Sequence, residues 1–303
     1  MHSNPLVGGR SSPVNTLIKL GIVGALLVLA NNSGRNQAQA SDEPATGAGY
    51  KSPYSINYTI PIEKLLAPDS TPPRNDQRLQ SITPYERWYS AKTREQFGSW
   101  GPQPRYYPAP FVDMDQVPLD WMRQRLLAVG EKLIGLPYQH HHIPAWDPPK
   151  DWPWKEVAYG CQSQGVDCSD FTSWLYNYGL GIKLITNVHK QADRLDVPAP
   201  GGKGTITAKL IENDCSYDDL VKKLITGDLL YIKNREGTIS HVIIWVGDVG
   251  KSPDGTPLIL DCTGSNHKDS NGTTIPVGVH LRPFSQDSWY FKSFSHAHRI
   301  IGS

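Results

Sequence analysis

The sequence lacks an excess of charge of either sign: 30 Lys and Arg stand against 29 Asp and Glu, a formal charge of +1. Proteins that hold nucleic acid through its phosphates present a basic surface, so no nucleic-acid partner is expected. Also missing is any apolar run of the roughly 18–20 residues needed to cross a bilayer. The run Leu20–Ala30 would span only about 16 Å as a helix, which excludes a polytopic membrane protein. Cysteine is scarce, with 4 in 303 residues: Cys161, Cys168, Cys215 and Cys262. An even count in an exported protein suggests two disulfides, and any functional role for one of these cysteines must displace that reading.

Arg10 and Lys19 precede the apolar run, no acid does, and a polar stretch after it ends in Ala38-Gln39-Ala40. This is the pattern of a secretory signal peptide over residues 1–40, with an uncleaved anchor as the alternative. Cleavage after Ala40 removes Arg10, Lys19 and Arg35 and takes the formal charge from +1 to −2. The expected location is periplasmic or secreted, in the cell envelope, with no stable membrane span after cleavage. Residues 41–117 are rich in proline, including Pro61, Pro68, Pro72, Pro73, Pro84, Pro102, Pro104, Pro108 and Pro110, with Tyr and Trp scattered between. Proline breaks helices and sheet ladders, while the aromatics argue against simple disorder. The segment reads as an extended arm or linker that packs on the downstream domain or on a partner.

From Pro118 the pattern changes. Apolar residues of Leu119–Ile134 recur at spacings of three to four, as in a helix, between Pro118 and Gly135. A second helix fits Cys168–Leu180, with Asp167 as N-cap and Gly179 at its end, and Asp218–Ile225 suggests a third. Strand-like runs follow at Leu229–Lys233, His241–Val246, Leu258–Asp261 and Val277–Leu281, with turn signals such as Asp254-Gly255 and Asn271-Gly272 separating or flanking them. Helices first and strands afterwards indicate an α+β domain over 118–303, with helices packed on a small antiparallel sheet.

The chemistry-bearing residues lie in this domain. Cys168 stands at the start of its helix, where the macrodipole and free N–H groups favour a thiolate and can stabilise an oxyanion. His241 opens an apolar strand whose expected hairpin partner begins at Gly227-Asp228-Leu229, and Asp261 ends the next strand. Together they form a nucleophile, a base and a third residue that orients the imidazole through its second nitrogen. His267 is the rival for the third place. Cys262, one residue beyond Asp261 in a strand, should face the other way.

Four segments in this order resemble the NlpC/P60 family of cell-wall cysteine peptidases: Gly135-Leu136-Pro137-Tyr138, Asp167-Cys168-Ser169 with Phe171, Gly227-Asp228-Leu229-Leu230, and His241-Val242 with Ile244, Val246 and Gly247. The resemblance implies a papain-like α+β fold and hydrolysis of peptidoglycan stem peptides, often between D-glutamate and diaminopimelate, with no metal or other cofactor. It implies Cys168 as nucleophile, His241 as base and Asp261 in third place. Tyr138 would lie near the oxyanion, with Asp167 and Ser169 beside the substrate. The chain departs from the family where Asp170 replaces a common glycine, where Asp261 stands for the usual His, Asn or Gln, and where Gln139-His140-His141-His142 follows the Pro-Tyr pair. These departures line the cleft and bear on specificity more than on reaction class.

Of the three histidines, His140 and His142 share a side in an extended chain. They are read as a loop wall with Trp146 that touches substrate. A zinc site would need a further ligand such as Asp147 or His189, and there is no H-E-x-x-H helix. Ser163 lacks the G-x-S-x-G frame of a serine hydrolase. Two other functions remain open: a non-catalytic wall-binding or scaffold protein with paired cysteines, and a papain-like acyltransferase, which shares the acyl-cysteine.

Overall fold

The helix that begins at Cys168 owes its position to caps at both ends. A computed structural model of the protein describes residues 49–71, 105–138 and 165–303, with Arg74, Ser81, Pro84, Arg87 and Lys92. Its helices are α1 (Ile62–Leu66), α2 (Leu119–Glu131), α3 (Cys168–Leu180), α4 (Val188–Asp193), α5 (Tyr217–Lys223) and α6 (Trp289–Lys292). At the start of α3 the extended Asp167 accepts a hydrogen bond from the Asp170 amide at 2.8 Å, satisfying one of the first-turn donors. The helix runs over Cys168–Leu180 as expected, but the glycine that caps it is Gly181, not Gly179. Gly181 takes φ 74°, and the Ile182 amide reaches back to the Tyr176 carbonyl at 3.1 Å, as in a left-handed helix cap. Gly179 has another use: a Cβ there would come within 3.2 Å of Leu126 on α2, so its bare backbone lets the two helices approach.

Among the described residues the main sheet has six strands: β1 (Lys209–Glu212), β2 (Leu229–Lys233), β3 (Ile239–Trp245), β4 (Leu258–Thr263), β5 (Gly278–Pro283) and β6 (Phe294–Arg299). They lie in the order β5-β4-β3-β2-β6-β1, and each neighbouring pair is antiparallel. Helices α3 and α4 lie against β3, and α3 also meets β4. On that face Leu229, Tyr231, Val242, Ile244, Leu260 and Cys262 join the helix side chains in one core. Leu230, Ile243, Trp245 and Ile259 fill a second core on the opposite face, closed by Leu220 of α5 and Tyr290 of α6. Burial on both faces accounts for the near-continuous apolar runs in these strands.

The expected hairpin of β2 and β3 is present, with Ile232 opposite His241. Sequence reading missed α4, α6, β1 and β6. Residues 49–71 contribute Tyr54, Ile56 and Leu65 to the helix-side core, and they contain α1, a turn of helix where the prolines suggested only extended chain. Fully buried Arg125 of α2 donates to the Leu65 carbonyl at 2.5 Å, the Asp69 carboxylate at 2.6 Å and the Gly179 carbonyl at 3.1 Å. It therefore ties this segment to α2 and α3. No helix among the described residues is long and apolar enough to cross a membrane. Residues 1–48, and with them the expected signal peptide, lie outside the described residues.

Candidate active site

The site forms where the start of α3 meets β3 and β4. Beyond α2 the chain turns at Gly135 and runs along the edge of β5: the Gly135 amide donates to the Val279 carbonyl, and the Val279 amide to the Leu136 carbonyl, both at 2.9 Å. Gly278 is required here, because a Cβ on it would stand 2.2 Å from the Leu136 carbonyl oxygen. Tyr138 then bridges in parallel to Val166. Backbone pairing thus sets the Gly135–Tyr138 segment beside the residues that lead into Cys168.

On the sheet, Ile244 of β3 pairs with Leu260 of β4. His241 is three residues from Ile244 and Asp261 is one from Leu260, so strand alternation puts both on the face opposite that pair. The His241 Nε2 lies 2.8 Å from Asp261 Oδ1. A carboxylate only accepts, so Nε2 carries the proton and Nδ1 is the nitrogen left for Cys168. The Cys168 sulfur acts on the imidazole both as a charge and as a hydrogen-bond partner. Burial alone would push the imidazole pKa down, but Asp261 and the Cys168 sulfur outweigh it and raise it from 6.5 to about 10. Burial likewise opposes the charge on Asp261, yet His241, Arg282 and Tyr290 hold its carboxyl at about 2. Cys168 is 5% exposed and His241 6%, so both barely reach the surface, and half-exposed Trp289 stands beside the imidazole at 5.8 Å between ring centroids.

Arg282 and Tyr290 surround Asp261, and neither was singled out from the sequence. The Tyr290 hydroxyl donates to Asp261 Oδ2 at 2.5 Å. Arg282 donates to the Asp261 backbone carbonyl at 3.2 Å, and its guanidinium lies 3.9 Å from Oδ2. An arginine two residues past His280, on the same face of an apolar strand, was the available signal. Ordinary statistics place arginine outside; this one is fully buried. His267, the rival third residue, contacts Tyr290 instead: its Nε2 is 3.1 Å from the hydroxyl and the rings stack at 4.9 Å. Burial and nearby Arg282 lower its pKa to about 4.

Asp167 and Ser169 are nearly buried, and the Ser169 hydroxyl donates to Asp167 at 3.2 Å. Tyr138 packs against the core that contains Cys168. His140 and His142, with Trp146, Asp147, Cys161 and Ser163, lie outside the described residues. Cys168, Cys215 and Cys262 are free, so the two-disulfide framework suggested by the cysteine count is not formed. Cys262 points away from Asp261 and donates to the Val166 carbonyl at 3.1 Å. Among the described residues no cluster of three or more His, Cys, Asp or Glu could hold a metal. A cavity of about 620 Å³ between α4, β6 and β1, lined by residues such as Asp193, Glu212 and His296, shares no residue with this site.

With the geometry in place, comparison with known proteins adds a family. Residues 155–266 match the model of the NlpC/P60 family, a segment that contains Cys168, His241 and Asp261. No curated protein matches the chain. Among solved structures, an NlpC/P60 family protein from Bacillus cereus ATCC 10987 aligns at 18% identity and a TM-score of 0.28. The alignment covers 57% of this chain and spans 40% of that protein's length.

Proposed function

We propose that this chain, NlpC/P60-like over residues 155–266, is a cysteine peptidase or amidase of the cell envelope that hydrolyses peptidoglycan stem peptides. The family consists generally of cell-wall peptidases. The observation that carries the reading is the hydrogen bond from His241 Nε2 to Asp261 at 2.8 Å, which leaves Nδ1 for a free cysteine at the N-terminus of a helix.

In the proposed reaction the Cys168 thiolate attacks the peptide carbonyl carbon, forming a C–S bond while the carbonyl electrons move to oxygen. Backbone N–H groups at the start of α3 suit that oxyanion. As the oxyanion collapses, the C–N bond breaks and the His241 imidazolium protonates the leaving amine. The same imidazole then takes a proton from water, which attacks the acyl-cysteine and releases the acid. Asp261 stabilises the imidazolium and fixes its tautomer. Tyr138, Asp167 and Ser169 would border the substrate, as would His140 and His142. The favoured bond joins D-glutamate to diaminopimelate, and export through the N-terminal signal would bring the enzyme to it. A scaffold role with bridged cysteines is disfavoured by the free thiol of Cys168.

The test is hydrolysis of a peptidoglycan tripeptide containing the D-glutamyl–diaminopimelate bond. The wild type should cleave it and trap an acyl-cysteine at residue 168. Wild-type turnover in Cys168→Ala would refute the assignment.

A further inference from the structure

We propose that Tyr290 is a positioning residue, holding Asp261 through the carboxylate oxygen that His241 leaves free. The inference rests on the reading of Cys168, His241 and Asp261 as the reacting set and adds a fourth group to it.

The proton directions follow from the contacts. Asp261 accepts from His241 Nε2 at Oδ1 and from the Tyr290 hydroxyl at Oδ2. A phenol has one proton to give, and Tyr290 gives it to the carboxylate, so the 3.1 Å contact with His267 is donated by the His267 Nε2–H to the phenol oxygen. Donors therefore converge on Asp261 from both sides, and His267 is the outer end of this chain, not a substitute for Asp261. Arg282 acts at longer range, since its close hydrogen bonds go to the carbonyls of Asp261, Gly278, His280 and Pro276. Among the described residues, Tyr290 is thus the close donor to Oδ2.

Other titratable groups around Asp261 leave that role to the phenol. His280 faces Asp261 across the β4–β5 pair, but burial and Arg282 lower its pKa to about 3, so it stays neutral. Cys262 lies on the other side of β4, and burial keeps it a thiol. Burial and the Asp261 charge raise the Tyr290 pKa well above 10, so the phenol keeps its proton. Its position on α6, adjacent to half-exposed Trp289, places the donor at the wall of the site.

The test uses the full chain carrying Tyr290→Phe, Asp261→Asn or both, with Tyr217→Phe as control. Tyr217 donates to the Phe284 carbonyl at 2.6 Å and has no part in the site. One readout is the rate of Cys168 alkylation by iodoacetamide against pH, followed by mass spectrometry, which needs no substrate. The other is kcat and KM on the tripeptide. Without the phenol, the charged form of Asp261 loses a donor that favours it. Tyr290→Phe should therefore move the acid side of the alkylation profile up by about half a pH unit and lower kcat about 10-fold, with KM little changed. In the Asp261→Asn background it should add nothing further, and Tyr217→Phe should match the wild type. A difluorotyrosine at 290, a stronger donor of the same shape, should shift the profile the opposite way, which decides the matter even if the phenylalanine variant does not fold. A wild-type profile in Tyr290→Phe, or an equal loss with Asp261 already replaced, overturns the proposal. If the shifts occur but the wild type leaves the tripeptide uncut, the substrate reading fails and the role of Tyr290 stands.

Discussion

Asp261 and Cys262 are adjacent in one strand and equally buried, with 0% exposure each, yet their protonation goes opposite ways. Asp261 enters a pocket with an imidazole, a phenol and a guanidinium, and its carboxyl is held at about 2. Cys262 enters the helix-side core, where it meets the Val166 carbonyl and burial drives its pKa well up. Desolvation opposes charge on both faces of the sheet. Around Asp261 an imidazole, a phenol and a guanidinium compensate that cost, whereas among the described residues no charged partner is packed against the Cys262 thiol, and that difference sends the two neighbours to opposite protonation states.

The most severe way to break this contrast is to remove the proposed nucleophile. Cys168→Ala should reduce turnover to background while leaving the thermal melt close to wild type, because the lost side chain is small and sits at a helix start. Asp261→Asn comes next. It keeps the shape but removes the charge and allows the wrong tautomer, and the expected rate loss is roughly 10–10³-fold, less than for His241→Ala. The pH profile sharpens the test. The imidazolium form is present below the raised pKa of about 10 and lost as pH rises through it. Without the Asp261 charge that loss should occur at lower pH, so the basic limb should move down; an unmoved limb would show that the carboxylate does not hold the proton.

Smaller effects should follow from the outer members. His267→Ala removes a donor to the phenol and the ring stacked on it, so a loss of about 2–5-fold in kcat is expected. A crippling His267→Ala beside a silent Asp261→Asn would transfer the third place to His267. In the helix-side core, Cys262→Ala should leave kcat and KM unchanged and cost about 1–2 kcal/mol in chemical denaturation, the usual consequence of a small core cavity. Rapid alkylation of native Cys262 that outpaced Cys168 would overturn the assignment of Cys168 as the reactive cysteine.

Much of this contrast was legible before any coordinates. Alternation along Leu258–Cys262 separates Asp261 from Cys262, and Asp167 marks the start of α3, because period-two geometry and helix capping are local. The strand β6 was not legible. Its sequence Phe294-Ser295-His296-Ala297-His298-Arg299 has little apolar character, and it becomes a strand by pairing between β1 and β2, with His298 buried against the Tyr231 ring at 4.7 Å. The expected bounds of α3, Cys168–Leu180, are the observed ones, but its terminating glycine was misassigned because Gly179 and Gly181 look alike in sequence; the contact of Gly179 with Leu126 and the left-handed φ of Gly181 distinguish the packing glycine from the capping one.

What the sequence determined by itself was the set of local elements around the chemistry: a cysteine at a helix start, a histidine at the head of an apolar strand, and a carboxylate in the next strand with its neighbour turned away. Tertiary structure alone decided which groups meet. The choice of Asp261 over His267 as the partner of His241, the role of Nε2 as the bonded nitrogen, and the enclosure of Asp261 by Tyr290 and Arg282 all depend on strands and a helix converging from distant parts of the chain. The physical reason is that capping and alternation act within a few residues, whereas the ionisation of a buried carboxylate is governed by the charges and donors packed within a few ångströms of it, whatever their separation in sequence.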